Sequence, residues 1–145
     1  MDILVDFDGT VVTHEFPSIG KDKGAVPVLK KLVKNGHNII LFTMRSNTTN
    51  NKDSSKEIPK IHNSNFLDDA VEWSNKNKIP LYGINTNPTQ KTWTTSPKAY
   101  GQLLIDDIAL GVPLIFDQRL SDRPFVDWVK VEQYCITTKL IKNRI

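Results

Sequence analysis

Six side chains able to do chemistry stand at or near the ends of short apolar runs. Asp6 and Asp8 follow Ile3-Leu4-Val5, Thr43 closes Ile39-Ile40-Leu41-Phe42, and Asp106 and Asp107 follow Leu103-Leu104-Ile105. Lys98 lies just before the last of these runs. If the first run continues as a strand, Asp6 and Asp8 point to one side of it, and Gly9 then lets the chain turn sharply. Four carboxylates at one edge repel and raise one another's pKa values, a conflict that a bound cation removes. All-oxygen donors suit Mg²⁺ better than Zn²⁺, and His14, His37 and His62 are scattered without zinc spacing. A Mg²⁺ that keeps water ligands normally also holds a phosphate, which Thr43 could hydrogen-bond and Lys98 could neutralise. Taken singly, each residue is bland: an aspartate after a strand is usually a turn residue or a cap, and a lone lysine is solvated surface. Their common position at one sheet edge makes them a set.

The elements that must position this set are short. Ile3–Val5, Ile39–Phe42, Leu81–Ile84 and Leu103–Ile105 read as buried strands, with Val112–Phe116 as a fifth. Val26, Leu29 and Val33 recur at helical spacing, so roughly 25–35 is a helix with Gly36 as its stop. A second helix carries Leu67, Ala70, Val71 and Ser74 on one face, with Asn65 placed to cap it and Asp68 and Asp69 in its first turn. Residues 98–101 suggest a short helical turn. Pro124, Phe125, Val129, Glu132 and Tyr134 suggest a closing helix. Residues 12–24 read as a loop or small hairpin and 85–97 as a loop. Residues 46–65 are a polar stretch, long for a loop inside a compact domain, and are either functional or mobile. Strands alternating with helices mean a parallel α/β sheet, in which ligands bind beyond the carboxyl ends of the strands.

The chain's 145 residues fit one domain and leave no stretch long enough for an inserted cap; 46–65 is at most a flap. The net charge of +3 is weak grounds for nucleic-acid binding, and the Lys139, Lys142 and Arg144 tail reads as a solvated end. One cysteine, Cys135, excludes an internal disulfide and a thiol-rich zinc site and points to a reducing, cytoplasmic setting. No apolar run approaches membrane-spanning length, and Ile3–Val5 is too short for a signal-peptide core. Arg45 reads as surface, with a substrate-phosphate contact as the other reading. Trp73 and Trp128 read as core, and Trp93 as a loop anchor or a substrate contact.

The residues Ile3-Leu4-Val5-Asp6-Phe7-Asp8-Gly9-Thr10-Val11 resemble the first motif of the haloacid dehalogenase (HAD) superfamily, an apolar strand followed by D-x-D-G-T/V. Ile39–Thr43 looks like its second motif, Lys98 is placed like its third-motif lysine, and Leu103–Asp107 looks like its acidic fourth motif. The motifs span residues 3–107, and the chain is most similar to the small, capless phosphatases of that superfamily. The resemblance implies a three-layer Rossmann-like domain over residues 1–145, with a mainly parallel sheet of about five strands and no cap domain. It implies Asp6 as nucleophile and Asp8 as general acid and base. Mg²⁺ would be held by Asp6, the backbone carbonyl of Asp8, Asp106 and, directly or through water, Asp107. Thr43 and Lys98 would bind the phosphoryl group, with Lys91 competing for the lysine's place. The second aspartate, Asp8, favours phosphate esters over carbon–halogen bonds.

The expected activity is hydrolysis of a phosphomonoester by a Mg²⁺-dependent phosphatase through an aspartyl-phosphate. The substrate class stays open among a small molecule, a nucleotide and a polynucleotide end. The competing reading is a phospho-accepting or non-catalytic phosphate- and Mg²⁺-binding module. Receiver domains also bring aspartates, a threonine and a lysine to one sheet edge. Their phospho-accepting aspartate lies on a middle strand, however, and here that strand ends in Tyr82-Gly83-Ile84-Asn85.

Overall fold

The structure is a computed structural model and describes residues 1–47 and 64–142. The polar stretch singled out above falls largely on 48–63, and Arg144 on the chain end, so both lie outside the described residues. The first apolar run forms β1 (Asp2–Val5). It is followed by α1 (Ala25–Lys34), β2 (Asn38–Leu41), α2 (Phe66–Lys76), β3 (Leu81–Ile84) and β4 (Leu103–Ile105). β1 to β4 make a four-stranded sheet in the order β3-β2-β1-β4, every pair parallel. Val5 lies opposite Leu41 on one side and Ile105 on the other, so Asp6, Phe42 and Asp106 leave the sheet side by side. The edge is stitched by Asp6 N–H donating to the Ile105 carbonyl at 3.0 Å and Phe42 N–H donating to the Val5 carbonyl at 2.8 Å.

Strand order decides what covers each face. The connections β1–α1–β2 and β2–α2–β3 step in the same direction, and right-handed crossovers therefore place both helices on one face. The return from β3 to β4 passes back over β2 and β1 and must use the other face. The side chains follow. Ile3, Val5, Ile39, Leu41 and Ile105 form the main core with Leu29 and Leu32 of α1 and Ala70 of α2. Leu4 and Ile40, which point the opposite way, form a second, smaller cluster with Ala99 and Phe42. That second face is covered by the coil of residues 85–102, whose one helical turn is a 3₁₀ turn at Gln90–Thr92 rather than at 98–101. Among the described residues, the sheet thus carries helices on one face and coil on the other.

The expected fifth strand of the sheet is also corrected. Residues 112–116 supply only β5 (Leu114–Ile115), which pairs antiparallel with β6 (Phe125–Val126) in a separate two-stranded sheet. Phe125 is therefore a strand residue. The last helix, α3 (Trp128–Thr137), starts after Asp127, whose carboxylate accepts from the N–H groups of Val129 and Lys130. Its buried face is Trp128, Val131 and Cys135, packed in the same core as α1 and α2, whereas Val129 and Tyr134 are exposed.

α1 stops as expected: Gly36 has φ +84°, its N–H donates to the Val33 carbonyl, and the His37 N–H donates to the Leu32 carbonyl, a Schellman closure. Asn65 does stand at the N-cap of α2 but makes no side-chain cap. Asn47, leaving β2, does this instead, accepting from Asp68 N–H at 3.2 Å and donating to the Asp68 carboxylate at 2.9 Å.

Candidate functional site

β1 ends at Val5 and does not continue through Asp8. Phe7 is fully buried, and its carbonyl accepts from the N–H groups of Thr10, Val11 and Val12, which winds residues 7–12 into a tight turn. Gly9 takes φ +80° there, a conformation that disfavours any residue with a side chain. Space forbids one as well: a Cβ at Gly9 would sit 1.9 Å from Nε2 of His14. The turn is held from the far end of the chain. Val126 N–H donates to the Gly9 carbonyl at 3.0 Å, and the buried Trp128 indole donates to the Thr10 carbonyl at 2.7 Å. The C-terminal segment therefore positions the acidic motif as well as closing the core.

The turn separates the two aspartates expected to act together. Asp6, Asp106 and Asp107 converge, each offering a carboxylate oxygen within 4.8 Å of the others. The Asp8 carboxylate is not in this group. It turns to Arg45, whose Nε and Nη2 each donate to one of its oxygens at 2.7 Å. Three carboxylates meet where four were expected, and the fourth is neutralised by a guanidinium. Arg45, expected on the surface, is buried, with its side chain 1% exposed.

Thr10 joins the three acids. Its hydroxyl donates to Oδ2 of Asp6 at 3.0 Å and accepts the N–H of Asp107 at 3.0 Å. Asp106 accepts from the Ile108 N–H at 3.0 Å, which holds the β4 turn. His14 is not scattered: its Nε2 lies 2.8 Å from Oδ2 of Asp107. The Asp6 pKa is pushed up to about 7, chiefly by burial and then by the negative charges of Asp106 and Asp107. Hydrogen bonds from the Phe7 amide and Thr10 pull the other way. Asp106 is also raised, by burial first and by Asp107 second. Three carboxylate oxygens this close could hold a metal ion, which would favour the charged forms of Asp6 and Asp106.

Thr43 stands at the same edge, one residue past Phe42. Its N–H donates to the side-chain oxygen of Asn85 at 2.8 Å, and its hydroxyl accepts the Arg45 N–H at 3.1 Å. Lys98 is not joined to the cluster. It is exposed and makes no ion pair among the described residues, as is also true of Lys91. Its neighbours anchor elsewhere: Ala99 packs on Leu4 and Ile40, and the Tyr100 carbonyl accepts from Asn87, which also binds Asp2 at the start of β1. Trp73 meets Phe7 edge-on at 5.5 Å and Trp128 is core, both as expected. Trp93 is half exposed and packs edge-on against Tyr100 at 5.0 Å.

Thr10, His14 and Arg45 are the site residues to which sequence reasoning gave no role or the wrong one. Only Thr10 had a local signal, since it lies inside the D-x-D-G-T run.

Fold and site together define the class: an α/β protein with a parallel sheet, compatible with a Rossmann-like fold, and an acidic cluster at the carboxyl edge of its strands. No protein-family model and no curated protein matches the chain. A solved structure of a conserved protein from Bacteroides thetaiotaomicron is similar to it, with 30% identity, a TM-score of 0.67, and coverage of 96% of this chain and 91% of that one. This chain belongs to the same family as that conserved protein. Among the described residues, no helix is long and apolar enough to cross a membrane.

Proposed function

We propose that the chain is a HAD-type, Mg²⁺-dependent phosphatase that hydrolyses a phosphomonoester in the cytoplasm. The observation that carries this reading is the convergence of Asp6, Asp106 and Asp107 within 4.8 Å at the end of adjacent parallel strands. Those three acids, with the Asp8 carbonyl, would hold the cation, which lowers the charge barrier between a carboxylate and a phosphate dianion. A carboxylate oxygen of Asp6 attacks phosphorus and the bond to the ester oxygen breaks. Asp8, once protonated from solvent on the oxygen lone pair that the Arg45 fork leaves open, gives that proton to the leaving oxygen. Water then attacks the phosphorus of the aspartyl-phosphate, Asp8 takes the water's proton, and free phosphate leaves with Asp6 restored. Thr43 is at hand for a phosphoryl oxygen, and Lys98 is the lysine assigned to the remaining charge. The substrate class stays open among a small ester, a nucleotide and a polynucleotide end.

One observation favours a second reading, a phospho-accepting or binding module. Both oxygens of Asp8 are engaged by Arg45, which restrains the group that turnover needs. Release of 4-nitrophenol from 4-nitrophenyl phosphate with Mg²⁺ separates the two. The phosphatase gives many turnovers per chain, and Asp6→Asn lowers the rate by at least ~10³-fold. A single equivalent released, with a stable phosphoryl group on the wild-type chain that hydroxylamine or alkali removes, establishes the module instead. A panel of phosphate esters, including nucleotides and 3′- and 5′-phosphorylated oligonucleotides, then ranks the substrate classes.

A further inference from the structure

Arg45 is bound more completely than any other cation described. Besides the fork on Asp8, its Nη2 donates to the Ser18 carbonyl at 2.8 Å and its Nη1 to the Pro17 carbonyl at 3.3 Å. The rings of Phe7 and Phe16 pack on the guanidinium at 5.0 and 5.2 Å from its carbon. Its own N–H is tied to the Thr43 hydroxyl at the end of β2. An ion pair this buried is a poor source of stability, because the cost of desolvating both charges offsets their attraction. Its geometric content is larger. Asp8 sits in a tight turn off the strand, and its side chain would otherwise rotate freely about two torsions. A proton donor must stay within hydrogen-bond reach of one oxygen of the substrate, so its orientation has to be fixed by a neighbour.

We propose that Arg45 is a positioning residue for Asp8 in phosphoryl transfer, an inference that rests on the phosphatase reading above. The fork occupies one lone pair on each Asp8 oxygen and leaves the others open, and the Asp8 side chain keeps 17% of its surface exposed. The clamp also explains the course of residues 14–18. That segment reaches Asp107 through His14 at one end and caps Arg45 with two carbonyls at the other. It therefore links the metal-binding half of the site to the proton-transfer half.

The test uses two esters of matched shape, 4-nitrophenyl phosphate and phenyl phosphate. The phenol leaves poorly without a proton, whereas the nitrophenol leaves readily. Arg45→Lys keeps the charge and loses the fork. It should lower kcat/KM for phenyl phosphate about tenfold more than for 4-nitrophenyl phosphate. The ratio is read within one preparation, so partial loss of folded protein cancels. Asp8→Asn should show the same selective loss, and adding Arg45→Lys to it should change the ratio no further. Equal loss on both esters, or a full second loss in the double variant, overturns the proposal while leaving the phosphatase reading in place. No turnover in the wild type overturns both.

Discussion

Asp6 and Asp8 stand two residues apart at the end of one strand, and their surroundings treat charge in opposite ways. Asp6 is buried beside two further carboxylates, has no cation against it, and is held near neutrality at about 7. Asp8 is matched to a buried guanidinium that answers both of its oxygens. The same residue type thus meets an unsatisfied demand for positive charge at one position and a satisfied one at the other. Only the first gathers carboxylates that could hold a metal ion.

The largest expected effect contrasts the two carboxylates without divalent metal at pH 8. Asp8→Asn removes the counter-charge of a cation whose side chain is 1% exposed, and should destabilise the fold by about 3–5 kcal/mol. Asp6→Asn instead removes one member of a repelling cluster, and should leave stability unchanged or raise it by ~1 kcal/mol or more. Urea unfolding of the two variants against wild type measures both. Losses of equal size would mean that the Asp6 cluster is not strained in the absence of metal.

The second contrast is in pH. Asp6 has a folded-state pKa of about 7, above its ordinary 3.8, so between those values the folded chain keeps a proton that the unfolded chain has released. That contribution is fully present below about 4 and is lost as pH rises through about 7. Its size is on the order of a few kcal/mol, three pKa units being an upper bound of ~4. With EDTA present, the urea midpoint should therefore fall between pH 5.5 and 8.5, and Asp6→Asn should flatten the fall. Mg²⁺ should reverse the trend, raising Tm more at pH 8.5 than at 5.5, because it competes with protons for the same oxygens. An equal Mg²⁺ shift at both pH values would place the ion elsewhere.

How far the sequence foretold this contrast depends on how local each cause is. The strands were legible because Ile3–Val5, Ile39–Leu41 and Leu103–Ile105 are short apolar runs ended by polar residues. Parallel pairing then had to bring their ends together, and Asp6 with Asp106 and Asp107 came with them. The continuation of β1 to Asp8 was not legible, since it is cancelled by three amides converging on the Phe7 carbonyl. Arg45 and His14 were misplaced for a related reason. Arg45 meets Asp8 and the Pro17 and Ser18 carbonyls, and His14 meets Asp107, because residues 9–18 fold back, and no periodicity reports which loop carbonyl or acid will lie over a strand end. The coil covering the second face and the departure of β5 from the main sheet follow from strand order and from the brevity of Leu114–Ile115. Composition resolves neither.

The smallest effect separates the two halves at a single hydroxyl. Thr10 is buried, donates to Asp6 and accepts from the amide of Asp107. Thr10→Val keeps the shape and removes both bonds, leaving the Asp107 amide without its partner, at a cost of about 1–2 kcal/mol. Thr10→Ser keeps both bonds and loses one methyl, at roughly 1 kcal/mol. The two variants should differ in pH dependence. The bond from Thr10 strengthens as Asp6 ionises, so the cost of Thr10→Val should grow as pH rises through about 7, while that of Thr10→Ser should stay flat. Parallel costs for both variants across that range would mean that Thr10 acts only as packing and that Asp6 does not ionise there.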